Sequence, residues 1–75
     1  MEEEHKFIIK SYHKGDLALM YHPCMTQAAA MGKMRRWINL NPDFKKRMKE
    51  AEISPLTHRY TSRQVAILVE FLGEP

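Results

Sequence analysis

The sequence predicts a mainly α domain of four short helices with a minimal two-stranded β ribbon, and three observations carry that reading. At 75 residues the chain has room for one modest core, because a domain of this size buries only about 60% of the surface its unfolded form exposes. Its composition, 44% apolar and 28% charged, lies in the globular range and away from the polar, highly charged range of disordered chains. Apolar residues recur at helical spacing in four segments, and most prolines and glycines fall where those segments should stop. With one cysteine, Cys24, an internal disulfide is excluded, so packing or a partner must supply the stability.

The elements follow in chain order. Residues 1–6, with Glu2, Glu3 and Glu4, read as an acidic disordered tail ahead of a single domain over 7–75. Phe7 to Tyr12 mixes aromatic and β-branched residues without a breaker and predicts a strand. Lys14 to Tyr21 predicts a first helix, with Leu17, Ala18 and Tyr21 on one side, Asp16 in the first turn where a carboxylate complements the helix dipole, and Pro23 beyond its end.

Thr26 is a good N-cap for a second helix, in which Ala30, Met34, Trp37 and Ile38 share one face and make Trp37 a core anchor. Asn41-Pro42 is a cap followed by proline at the first helical position; it opens a third helix with Phe44, Met48 and Ala51 as its apolar side. Arg59-Tyr60 predicts a short strand pairing with Phe7 to Tyr12. Thr61 and Gln64 form a capping box for a fourth helix that runs to Leu72 and ends at Gly73. Val65, Leu68, Val69 and Leu72 make its core stripe, and Ile67 and Phe71 make a second apolar pair on a different side. That pair predicts either more core or a contact with a second copy or another protein.

Charge is distributed unevenly. The net value is only +3, yet Lys33, Arg35, Arg36, Lys45, Lys46, Arg47 and Lys49 meet one carboxylate, Asp43, between residues 33 and 49. Such a cluster is either a solvated helix surface or the footprint of a polyanion binder. The first two helices, joined through Tyr21-His22-Pro23-Cys24-Met25, have the size and polarity of a helix-turn-helix. In that motif the N-terminal half of the second helix approaches base edges in the major groove, where small residues let the backbone come close. Gln27, Ala28, Ala29 and Gly32 fit this requirement, and Lys33, Arg35 and Arg36 follow at positions suited to phosphates or guanine edges.

Two resemblances bear on these residues. Tyr12-x-x-x-x-Leu17-Ala18, then Thr26 to Arg35-Arg36-Trp37-Ile38, then Arg59-Tyr60-Thr61-x-x-Gln64-Val65 resembles the winged helix-turn-helix of the MerR and excisionase superfamily. That resemblance implies a DNA-binding domain whose wing strand and tyrosine precede the last helix. It places Gln27, Lys33, Arg35 and Arg36 on the DNA-facing helix and Arg59 near the wing; Ala28 and Gly32 join that helix face through their small size, and Lys45 and Lys46 join the expected contacts through the charge of their segment. The chain departs from the pattern at Pro23, where a glycine is usual, and over Asn41 to His58, where a basic helix replaces a short wing. Over nearly its whole length it also resembles a family of short uncharacterised bacterial proteins, through Asp16 to Pro23, Arg35 to Ile38, Asn41-Pro42 and the closing Leu72-Gly73-Glu74-Pro75.

Other classes find little support. His22-x-Cys24 offers two metal ligands where a zinc site needs three or four, and His13 and His58 stand at no ligand spacing, so no metal or cofactor is expected. Cys24 is expected to be partly buried. Asp16, Asp43, Glu50, Glu52 and Glu70 are scattered, with no nucleophile–base pair and no glycine-rich phosphate loop, which predicts no enzyme and no small-molecule substrate. The Met1-Glu2-Glu3-Glu4 start does not read as a signal peptide, so none is expected, and apolar runs such as Val65 to Val69 fall far short of the ~20 residues a bilayer needs. The expectation is a cytoplasmic binder of duplex DNA, with a protein-interaction module built on Ile67 and Phe71 as the alternative.

Overall fold

The computed structural model describes residues 7–54 and 56–75. The expected acidic tail, residues 1–6, lies outside them. In chain order the elements are β1 (Tyr12–His13), α1 (Lys14–Tyr21), α2 (Gln27–Leu40), α3 (Pro42–Glu50), β2 (Arg59–Tyr60) and α4 (Ser62–Leu72). This is the mainly helical architecture predicted, four helices with a two-stranded antiparallel sheet.

Each helix begins where a side chain can satisfy orphan amides. Thr26 accepts from the Ala29 amide at 3.2 Å, and the Asn41 side chain accepts from the Asp43 and Phe44 amides at 3.0 and 3.2 Å, with Pro42 at the first helical position. The Thr61–Gln64 capping box is reciprocal, and it also joins two helices. Thr61 Oγ1 donates to the Ala51 carbonyl, and Gln64 Nε2 donates to the Met48 carbonyl at 3.0 Å. Gln64 is thus a buried polar residue with its amide oxygen and nitrogen both paired, as burial of an amide requires. α4 stops at Gly73, whose φ of 83° is a conformation that glycine adopts without steric penalty.

The core gathers the predicted stripes: Leu17 and Ala18 from α1, Ala30 and Met34 from α2, Phe44 and Met48 from α3, and Val65 and Leu68 from α4. Trp37 is half-buried on the edge of that core, meeting the His22 ring edge-on at 4.6 Å. Gly15 is buried because the Gln27 side chain at the start of α2 lies where its Cβ would be.

One expectation is corrected here and another is made more definite. The first strand is confined to Tyr12–His13, which pair with Tyr60 and Arg59 respectively, while Phe7 to Ser11 form no ladder. A strand extends only as far as its partner does, and β2 has two residues because the α4 cap follows at once. Ile8 and Ile9 are accordingly exposed, and Phe7 stacks on the Tyr12 ring at 5.4 Å. The more definite one concerns Ile67 and Phe71. Ile67 is 9% exposed and part of the core, and Phe71 stacks on Phe44 with ring centroids 4.4 Å apart. α3 packs on that side of α4, so Ile67 serves as core, while Phe71 stays half-buried and borders an apolar hollow with Trp37, Leu40 and Leu72.

Candidate nucleic-acid interface

The basic residues are sorted by the helical period. At about 100° per residue, Arg35 and Lys33 on α2 project about 160° apart, with Arg36 between them on the outward side. Arg35 and Arg36 are both exposed and make no ion pair among the described residues. Lys33 turns toward the opposite flank, where its ammonium lies 5.8 Å from the Trp37 ring. Ala28 and Gly32 are exposed on the outer face, and the space around Gly32 is open, so no internal contact calls for a glycine there.

On α3 the same period separates three lysines from one arginine. Lys45 and Lys49, one turn apart, line a groove between α3 and α2, while exposed Lys46 is not among its lining residues. Arg47 faces α4 instead. Both its terminal nitrogens bond to the Glu70 carboxylate, at 2.6 and 3.0 Å, and its guanidinium lies 5.5 Å from the Phe71 ring. The Arg47 hydrogen bond holds the Glu70 carboxyl below its ordinary range. Arg47, counted with the basic segment in the sequence, therefore makes a structural pair.

The groove has a volume of about 340 Å³ and draws its walls from α1, α2, α3, β2 and α4. Lys14, Arg35, Lys45 and Lys49 supply cations, Glu52 supplies a carboxylate, and Met31, Ile38, Met48 and Tyr60 supply apolar surface. Lys14 lies 5.4 Å from the Tyr60 ring centroid. Burial pushes the Tyr60 hydroxyl up from its ordinary pKa, and the Arg35 charge pulls it partly back. This convergence answers what Tyr60 does: its ring is core and also part of the groove wall.

Three predicted contacts are placed differently from a free DNA-facing side chain. Arg59 is exposed, but its Nε donates to Ser11 Oγ at 3.1 Å and its Nη2 to the Ser11 carbonyl at 3.1 Å, which ties it to the chain just before β1. The Gln27 side chain lies against Gly15 of α1. Lys33 is separated from Arg35 by the breadth of α2. Cys24, expected to be partly buried, is exposed.

Conversely, Lys14 belongs to the groove although it lies outside the basic stretch 33–49 that the sequence marks, whereas Lys49 lies within that stretch. The four-residue spacing of Lys45 and Lys49 was a usable signal, whereas the position of Lys14 depends on the β1–β2 pairing and its amide bond to the His58 carbonyl. Among the described residues no three His, Cys, Asp or Glu side chains gather as metal ligands do, and no helix is long and apolar enough to cross a membrane.

Fold and site together define a small, mainly helical domain with one open basic groove and an exposed arginine pair on its second helix. The chain belongs to the family described as a domain of unknown function, DUF4248, whose family model matches residues 8–75. No curated protein and no solved structure gives a significant match.

Proposed function

We propose that this protein is a non-catalytic binder of duplex DNA, a small transcriptional regulator or excisionase-like accessory factor of winged helix-turn-helix type. The observation that carries the reading is the free, outward arginine pair on α2 beside a groove edged by Lys14, Lys45 and Lys49. Four of the five cations come from α2 and α3, and none is in an ion pair among the described residues. Unpaired cations on one surface attract a polyanion over a distance comparable to the Debye length and release its counterions on contact.

The local geometry supports a role for α2 as the DNA-facing helix. It is capped by Thr26, joined to α1 by a short turn, and presents Ala28 and Gly32 without side-chain bulk at the end that would enter a major groove. Arg36 and Arg35 reach phosphates or guanine edges, and Lys45, Lys46 and Lys49 extend the phosphate contacts along α3. Arg59, tied to Ser11, positions the wing and makes at most an edge contact. The apolar pair Ile67 and Phe71 contributes to the fold through its packing against α3.

The test is fluorescence anisotropy with labelled random duplex at low and moderate salt. Wild-type chain binds at low salt and weakens steeply as salt rises. Arg35→Glu together with Arg36→Glu abolishes binding while the helical circular dichroism and Tm stay unchanged. Binding that survives both substitutions removes α2 as the DNA-facing helix, and absence of wild-type binding at either salt removes the function.

A further inference from the structure

We propose that the groove between α2, α3 and β2 is a binding site for an organic phosphate with a flat apolar body, the chemistry of a nucleotide unit. The inference deepens the reading of this surface as a phosphate binder and rests on it. A duplex is a convex rod wider than such a groove, so a duplex can meet the arginines on the outer face of α2 but cannot fill the concavity. At about 340 Å³ the groove falls at the small end of ligand sites, which run from ~300 to ~1,000 Å³. One nucleotide is the part of a nucleic acid that fits a space of this size.

Its lining offers both chemistries of a nucleotide, cations for the phosphate and apolar atoms for the base. Arg35 presents a planar fork suited to phosphate oxygens, and Lys45 and Lys49, one turn apart on α3, border the same groove. Met31 and Met48 are adaptable, polarisable side chains that can cover a ring, and the Tyr60 side chain continues that surface. The Tyr60 hydroxyl bonds to no described residue. Glu52, the groove's one carboxylate, disfavours a second phosphate near it and accepts from an exocyclic amino group such as that of adenine or cytosine.

The same chemistry comes either as a free nucleotide or as an unpaired nucleotide in a single strand, and the experiment separates the two. The full chain, with its methionine methyls isotopically labelled, is titrated by NMR with AMP, adenosine, inorganic phosphate and a short single-stranded oligodeoxyadenylate at matched ionic strength. AMP is expected to shift the Met31 and Met48 methyl signals and to bind at least about tenfold more tightly than adenosine or phosphate, a difference of about 1.4 kcal/mol. Lys45→Gln with Lys49→Gln should weaken AMP about tenfold with Tm unchanged, whereas Arg63→Gln, an exposed α4 residue that does not border this groove, should leave it unaltered.

An oligonucleotide that binds more tightly than AMP at the same methyls identifies the strand as the source; AMP that binds as tightly or better identifies the free nucleotide. AMP no tighter than phosphate, or insensitive to the lysine pair, overturns the site. AMP binding without duplex binding supports the site and ends the duplex reading. Duplex binding without AMP binding does the reverse.

Discussion

On the side of α3 that faces α4, Arg47 is bound twice by Glu70 and lies over the Phe71 ring, and Phe44 stacks against the same ring. On the side that faces α2, Lys45 and Lys49 border an open groove and make no ion pair among the described residues. Both sides belong to one nine-residue helix, and the two kinds of cation lie within a few positions of each other in the chain. The difference teaches that a count of cations in a stretch measures potential for binding, while the helical period and the neighbouring helix decide which charges remain available.

Substitutions on the closed side should act on stability. Phe44→Ala has the largest expected effect, a loss of about 3–5 kcal/mol, because a 2%-exposed ring is removed and Phe71 loses its stacking partner. Denaturant unfolding measures it, and a loss under about 1 kcal/mol would mean that the α3–α4 contact is loosely packed. Gln64→Ala follows at about 1–3 kcal/mol, since the Met48 carbonyl and the Thr61 amide each lose a buried partner.

On the open side, the contrast is sharpest between Lys49→Gln and Arg47→Gln. If Lys49 contacts phosphate, its removal lowers the slope of log affinity against log salt by about 1, while Arg47→Gln leaves the slope as it was. Equal effects would erase the distinction between the two sides of α3. Gly32→Ala is expected to raise stability by about 1 kcal/mol, because no neighbour opposes a methyl group there and alanine favours helix. The same variant should weaken duplex binding if the α2 backbone approaches the DNA closely.

The smallest effect concerns the turn between α1 and α2. His22 Nε2 is buried without a hydrogen-bond partner among the described residues, and burial first, then the Lys33 charge, lowers the imidazole pKa from its ordinary value near 6.5. The unfolded chain then binds this proton more readily than the folded one. Stability from this residue is complete above about pH 6.5 and declines as pH falls from there toward the lowered folded pKa. Comparing Tm between pH 8 and 6 for wild type and His22→Phe isolates the effect; an identical pH dependence in the two would exclude it.

Much of the fold was legible because its signals are local. Thr26, Asn41-Pro42 and Thr61–Gln64 begin three helices through bonds that span two or three residues, and the stripes of α2 and α3 need only the 3.6-residue period. The strand at Phe7 to Tyr12 was misread because β propensity describes a residue's suitability for a ladder and says nothing of whether a partner is long enough. That Ile67 packs as core and Phe71 stacks on Phe44 was not legible, because the wheel of α4 alone does not show that α3 lies against it. Of the candidate site, the exposure of Arg35 and Arg36 followed from burying Trp37, Met34 and Ala30 on the other side.

Sequence alone determined which segments are helices, where they start and stop, and which arginines point away from the core, since short-range hydrogen bonds and side-chain periodicity settle those matters within a few residues. Tertiary structure decided the rest: that Arg47 is held by Glu70 and Arg59 by Ser11, and that Lys14, Arg35, Lys45 and Lys49 meet around one groove with Tyr60 in its wall. These contacts join residues that are up to 48 positions apart in the chain. Only the packing of one helix against another, with its own angle and register, brings such residues together.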